Sequence, residues 1–583
     1  MKKILAIFLA AICLSSCDLS KYKLVKEYDF ETVFESTDGE ETATYWQVIE
    51  YYRQLQEAYP SITLQEFGTT DSGEPLHLAV YSSGEEFDLE KLREENSIIF
   101  INNGIHPGES DGIDATMMLF RDLAEKKITT PKNTILVTIP VYNIGGALNR
   151  NSTTRVNQNG PAEYGFRGNA RNYDLNRDFI KADTKNTKSF VEIFHRIKPD
   201  IFIDTHVSNG ADYQYTLTHL FTQKDKLGGE LGEYLHNRMM PAFEESLWEH
   251  DWDVTPYVNV FNNVPDDGFV QFMDHPRYST GYAALFNTLG LMLETHMLKP
   301  YKERVEGTYR SLISLIDVSE RDWATIKDLR ARAQRKYLTE RYYPVNFEVD
   351  SSRITKLQFK GYEGETVASE LTGGQRLKYD REKPFEKEVD YYNNFIPAER
   401  IEIPRAYVIP QGWWNVINIL KVNKVEMSSF SKDTVLQVET YNIEEYETRT
   451  SPFEGHYPHY NTKVSTSIER VPFRKGDVYI KTFQPSVRYL IETLEPITPD
   501  SFFNWNFFDS ILHQKEGFSP YVFEDSAMEF LEENPKIKEE FEDLKRQDRE
   551  FSGDAYAQLK WLYEKSGHKE SSHLRYPVFR VSR

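Results

Sequence analysis

Apolar positions in the first 340 residues switch between a helical period and unbroken strand-like runs. Trp46, Ile49, Tyr52, Leu55 and Ala58 recur at three-residue spacing over Thr44–Tyr59 and predict an amphipathic helix. Ile62–Phe67 and Leu76–Tyr81 read as short strands, joined through the turn residues Thr70-Asp71-Ser72-Gly73. The run Ser97–Ile101 reads as a buried strand, and Asp114–Leu123 as a helix packing back on the sheet. Further strands are expected at Thr134–Val141, at Asp200–Asp204 ending at Thr205-His206, and at Thr288–Leu293 ending at Glu294. Residues 226–248 and 300–337 read as helices. Strands alternating with helices predict an α/β sandwich with a mostly parallel or mixed sheet. Residues 142–173 form a long Asn/Gly/Arg-rich loop, and a loop of that length inside a compact domain is usually functional.

The pattern changes after about residue 345. Short alternating runs such as Thr355–Phe359 and Val435–Thr440, separated by Gly/Asn/Pro turns, predict a β-rich accessory domain over 345–485. Residues 486–583 turn mainly helical, with Ile537, Phe541, Leu544, Leu559, Leu562 and Tyr563 marking amphipathic faces. Ahead of a domain spanning 41–340, residues 17–40 are polar, without period, and read as a tether. No internal repeat or low-complexity tract is visible.

At 583 residues the chain exceeds one ordinary domain, and 39% apolar content suffices for several cores. A formal net charge of -22 argues against a nucleic-acid partner, which needs a basic face. Residues 1–16 have the form of a signal peptide: basic Lys2-Lys3, then an apolar stretch Ile4–Leu14 too short to span a bilayer. It ends in Leu14-Ser15-Ser16-Cys17, which looks like a bacterial lipobox with Cys17 as the lipid attachment site. The expectation is export and anchoring to a bacterial membrane, in the periplasm or at the cell surface. Cys13 and Cys17 are the only cysteines, so the mature chain would hold no disulfide.

Candidate chemistry gathers where apolar strands end, the edge at which open α/β sheets collect ligand and catalytic groups. His106-Pro107-Gly108-Glu109 presents an imidazole and a carboxylate from a tight turn, and His206 adds a second imidazole. Such a His2Glu set, with one position left for water, suits one catalytic zinc ion. Glu294, amid apolar Leu291-Met292-Leu293, is the candidate general base, since such surroundings raise a carboxyl pKa. In Asp174-Leu175-Asn176-Arg177, the arginine offers a fork for a carboxylate and Asn176 a neutral donor beside it. The natural ligand is a peptide with a free C-terminal carboxylate. Asp174 could take the second nitrogen of a metal-binding histidine, and one of Arg155, Arg167 and Arg171 could stabilise an oxyanion.

His106-Pro-Gly-Glu109, Asp174-Leu-Asn176-Arg177, His206 and Glu294-Thr295 occur in the order found in the M14 zinc carboxypeptidases, and over residues 40–330 the chain resembles that family. The resemblance implies a three-layer α/β/α sandwich, one zinc, and hydrolysis of a C-terminal or near-terminal peptide or amide bond. Carried over, His106, Glu109 and His206 bind zinc, Glu294 is general base and then acid, Asn176 and Arg177 hold the substrate carboxylate, and Asp174 orients His106. Arg167, in a bacterial-type Arg-x-Asn ahead of Asp-Leu-Asn-Arg, is the oxyanion residue, with Arg155 its rival. Tyr278 is preferred over Tyr282 as the substrate-capping tyrosine. Within the same resemblance a peptidoglycan stem-peptide (γ-glutamyl-diaminoacyl) amidase is an alternative, and a non-catalytic peptide- or glycan-binding lipoprotein is another. Segment 142–173 departs from digestive members, and Phe453-Glu-Gly-His456 and Trp505-Asn-Phe-Phe508 look like the extension of large bacterial M14-like proteins.

Other tempting residues have plainer readings. His456 and His459 are expected as loop or packing residues rather than a second metal site, and His296 as a structural hydrogen-bonder beyond a strand that ends at Glu294. Asp212-Tyr213 fits a turn as well as a cleft wall. Trp413-Trp414 and Phe502–Phe508 read as core rather than a sugar platform.

Overall fold

A computed structural model describes residues 28–583; the expected signal peptide, lipobox and Cys17 lie outside the described residues. The first 300 positions supply strands β1 (Ile62–Phe67), β2 (Leu76–Tyr81), β3 (Ser97–Asn102), β4 (Thr134–Ile139), β5 (Ile201–Ser208), β6 (Leu217–Phe221), β7 (Val254–Pro256), β8 (Phe269–Val270) and β9 (Leu289–His296). All but β8 join one mixed sheet in the order β1-β2-β4-β3-β5-β9-β6-β7. Its centre, β4-β3-β5-β9, is parallel, which buries both faces and explains the continuous apolar runs.

Alternation along the central strands makes three layers. Phe100 and Phe202 face Phe190 and Phe194 of helix Lys185–Ile197. On the other face, Ser97 meets Ser319 of helix Tyr301–Thr339, and Thr295 meets Asp111 of helix Asp111–Ala124. The result is an α/β/α sandwich. The same alternation puts Asp204 and His206 on the face of Phe202. Parallel register sets Glu294 directly beside His206.

Four differences from the sequence reading have physical causes. Strands β5 and β9 run two residues further than expected, to Ser208 and His296, so His206 and Glu294 lie within the sheet. Strands β6 and β7 are too short to stand out by period, yet they complete the sheet beyond β9. Residues 28–40, expected within a polar tether, pack on the domain: Thr32 caps the short helix Val33–Ser36, Phe30 and Phe34 are buried, and Arg121 pairs with Glu35. Finally, the largely helical C-terminal region ends in a strand, Phe579–Val581, which pairs with both Ala406–Ile409 and Thr434–Thr448.

That strand belongs to a six-stranded accessory sheet whose longest members, Thr434–Thr448 and His459–Phe473, form a hairpin. A second long hairpin, Thr355–Ala368 with Gln375–Tyr392, pairs with β8 and shares a core with Tyr213, Tyr215 and Val258. Asp212 pairs with its Arg381 at 2.7 Å, and Tyr213 bridges to Gly361, so these two residues hold the hairpin rather than line a cleft. Phe502, Phe503, Trp505 and Phe508 are buried in the core, whereas Trp414 is exposed.

Candidate active site

Beyond β3 the chain turns over the sheet edge, and the Glu109 amide donates to the His106 carbonyl at 2.8 Å, closing the turn. Gly108 leaves room for close packing there: a Cβ would lie 2.5 Å from Arg155 Cδ and 2.9 Å from the Gly165 carbonyl oxygen. His106 Nδ1 sits 3.2 Å from Glu109 Oε1, and His206 Nδ1 sits 3.0 Å from Glu109 Oε2. Each imidazole is tied at its other nitrogen, His106 Nε2 to Asp174 Oδ1 and His206 Nε2 to Asp204 Oδ2, both at 2.9 Å. Among the described residues this is the one cluster of His, Cys, Asp and Glu with metal-ligand spacing, its candidate ligand atoms within 4.8 Å of one another.

The donors fit zinc. His106 Nδ1 is buried and has no hydrogen-bond partner, an arrangement that leaves its lone pair for a cation. Both histidines have the carboxylate behind them that fixes the tautomer of a metal-ligating ring. Burial alone would raise the Glu109 carboxyl; His106 and Arg155 override it and hold Glu109 well below the usual carboxylate range. Asp174 is likewise held low against its burial, by His106, Arg167 and Arg177. A carboxylate held anionic between two imidazoles, each backed by a second carboxylate, is a donor set of the kind a divalent ion takes.

These groups line a cavity of about 470 Å³ that also receives Arg155, Arg167, Asn176, Arg177, Tyr257, Tyr278 and Glu294. Arg155 donates to Glu109 Oε1 at 2.8 Å, and Arg167 places Nη1 3.6 Å from the same oxygen while its Nε and Nη2 grip Asp174 Oδ2. Arg171 is turned away, to Asp71 and the Asp183 carbonyl. The Arg177 guanidinium lies 4.5 Å from the centre of the Tyr278 ring, and Asn176 Oδ1 accepts from the Ser279 amide, which leaves the Asn176 NH2 for an anion. Tyr282 is fully buried and donates to Asn423 at 2.7 Å, so of the two tyrosines only Tyr278 reaches the cavity.

Glu294 is nearly buried, and burial pushes its carboxyl up to about 7; Glu109 and Asp204 act in the same direction, His206 and Arg167 against it. His296, on the same strand, instead bonds the Ala211 carbonyl through Nε2 at 3.1 Å and accepts from the Leu298 amide. His456 and His459 are separately engaged, with Asp183 at 2.8 Å and with Asp509 at 3.0 Å.

Two residues at the site escaped the sequence reading. Asp204 supports His206, and its signal was available: Asp-x-His in a strand puts both side chains on one face. Ser279 in turn donates to Asp204. Tyr257, which follows the short strand β7, had no motif to reveal it.

Residues 48–209 match the family model for zinc carboxypeptidases, peptidase M14. Carboxypeptidase 2 of Trichophyton equinum is 22% identical over 452 residues, 73% of this chain and 76% of that protein. Carboxypeptidase 2 of Trichophyton tonsurans is 23% identical over 457 residues, with the same coverage of 73% and 76%. Among solved structures, a metallo-carboxypeptidase from Burkholderia cenocepacia is 17% identical, aligned over 48% of this chain and 70% of its own, at a TM-score of 0.36. Carboxypeptidase A from Helicoverpa armigera is 14% identical over 52% of this chain and 77% of its own, also at 0.36.

Proposed function

We propose that this M14 zinc carboxypeptidase-like protein is a zinc-dependent carboxypeptidase that removes C-terminal residues from peptides. What supports this most is that the His106–Glu109–His206 cluster, Glu294 and the Arg177–Tyr278 pair line one cavity. His106, Glu109 and His206 would hold the ion, which when bound supplies Lewis acidity that acidifies water and polarises a carbonyl. Arg177 forks the terminal carboxylate with the Asn176 amide beside it, which sets the last peptide bond over the cluster. Arg167, braced by Asp174, donates to the developing oxyanion; Arg155 is the other cationic donor in reach of that place. Glu294 takes a proton from the attacking water and gives it to the leaving amine. Tyr278 caps the bound residue.

Side-chain preference follows from the cavity lining. Leu220, Phe272 and Met292 are apolar, and among the described residues Glu109 and Glu294 are the only acids lining the cavity. A basic C-terminal side chain finds no counter-ion there. In a C-terminal peptide library, apolar and aromatic residues are released at least tenfold faster than Lys or Arg, since an unpaired buried charge costs several kcal/mol. Metal analysis of the same preparation gives about one zinc per chain. Zinc without release of any C-terminal residue, but with cleavage of stem peptides ending in a diaminoacyl residue, would replace this substrate class with the cell-wall one.

We further propose that the enzyme works outside the cytoplasm, held to a bacterial membrane by lipid on Cys17. Support comes from the basic, apolar and Leu-Ser-Ser-Cys order of residues 2–17. In a bacterial host, wild-type chain takes up labelled fatty acid and sediments with membranes, whereas Cys17→Ala takes up none. Equal labelling of both would refute the anchor.

A further inference from the structure

The accessory region reaches the active site through the Phe453-Glu-Gly-His456 and Trp505 motifs, which the catalytic reading leaves unused. The hairpin Thr434–Thr448/His459–Phe473 carries at its tip a tight turn in which Phe453 and His456 exchange backbone hydrogen bonds of 2.8 and 3.1 Å. Its central residues, Glu454 and Gly455, have φ of 49° and 78°, the pair of left-handed conformations of a type I′ turn. Gly455 presses on Tyr173 so closely that a Cβ would lie 2.5 Å from the phenol oxygen. That packing delivers Glu454 Oε2 to the backbone amide of Asp174, at 2.8 Å.

Asp174 is the residue on which the site turns. Its Oδ1 holds His106 Nε2 and the Asn176 amide, its Oδ2 holds Arg167, and its carbonyl caps the turn that carries Arg177. Its side chain is thus spent on three groups and its carbonyl on a fourth, and its peptide N–H would be left without a protein partner if the hairpin were absent. The tip is anchored at both ends. His456 Nε2 meets Asp183 at 2.8 Å, and Phe453 stacks on Trp505 at 6.2 Å. Trp505 then donates to Asp500, whose other oxygen accepts from the Arg277 amide beside Tyr278. One accessory loop therefore braces the Asp174–Arg177 turn, and the residues it stacks on brace the Arg277–Tyr278 segment.

We infer that Glu454 is a positioning residue of the active site, acting through the Asp174 amide to fix both the orientation of His106 and the placing of Arg177. The inference rests on the proposed function for the identity of the group that Arg177 holds. Its effect on the metal ligands does not.

The test compares full-length wild type with Glu454→Met, which keeps the size and loses the acceptor, and Glu454→Gln, which keeps an acceptor oxygen. Zinc affinity by competition with a chromogenic chelator and KM for a peptide with a free C-terminus are read alongside thermal midpoint. The Met variant is expected to bind zinc about tenfold more weakly, in the range seen when a partner behind a metal ligand is lost, and to raise KM about tenfold. The Gln variant should lie within about threefold of wild type on both. Unchanged zinc affinity and KM in the Met variant would overturn the role, as would a Gln variant no better than Met. His456→Ala, which frees the turn at its other anchor, should move both readouts in the same direction, and covers the case in which the Met variant fails to fold. A wild type that binds zinc but cleaves no peptide would refute the substrate reading alone, and the zinc comparison would still decide the role of Glu454.

Discussion

Glu294→Gln is expected to lower kcat by about 10³-fold while the chain keeps its zinc, within the range that a positioned acid–base group contributes. The substitution is nearly isosteric, and Glu294 is not among the three atoms that face one another across the cluster. What changes is the ability to accept a proton. Glu294 sits on β9 with His206 directly opposite on β5, so the backbone register rather than a loop fixes its distance from the cluster. An amide there holds the same place and cannot take a proton from water at neutral pH. Because Gln removes a buried carboxyl whose charged form burial disfavours, the fold should lose nothing, and the thermal midpoint should stay or rise. The measurements are kcat on the best library peptide and metal content of the same sample. Turnover within tenfold of wild type would remove Glu294 from the mechanism; loss of zinc would make it a ligand instead.

How much of this was legible in the sequence depended on the range of each signal. His106, Glu109, Asp174, Asn176 and Arg177 sit in short motifs whose spacing alone sets a local turn, so they could be read without knowing the sheet. Glu294 could be placed because it closes an apolar run. The order of strands could not: β6 and β7 enter after β9 only through long-range pairing, and five- and three-residue strands carry almost no period. For the same reason the choice between Tyr278 and Tyr282 was open in the sequence. They are four residues apart, and only the packing of helix Ser279–Ala284 against Phe194 and Asn423 sends one inward to the core and leaves its N-cap residue in the cavity. Glu454 lay beyond any such reading, since it comes to Asp174 across 280 residues of chain.

The second large effect concerns substrate choice. Arg177→Ala is expected to lower kcat/KM by about 10²–10³-fold on peptides with a free C-terminus, chiefly through KM. Truncating one partner of a buried, hydrogen-bonded charge pair costs about 2–5 kcal/mol, and each factor of ten corresponds to about 1.4 kcal/mol. The guanidinium is already placed before substrate arrives: its Nη1 donates to the Asn176 carbonyl at 2.8 Å and its face rests on Tyr278. Little ordering is left to pay on binding, which favours a strong contribution. Lysine does not replace it, because an ammonium offers neither the planar fork nor the stacking face, so Arg177→Lys should recover only a small part. The control is the same peptide amidated at its C-terminus. Wild type should prefer the free acid by at least 10²-fold, and Arg177→Ala should bring the two within a few-fold of each other by losing the acid rather than gaining the amide. If both peptides fall equally in the variant, Arg177 supports the site rather than reading the carboxylate. Should wild type itself not distinguish acid from amide, the chain would cut within peptides, and the Arg177–Tyr278 pair would hold some other part of the substrate.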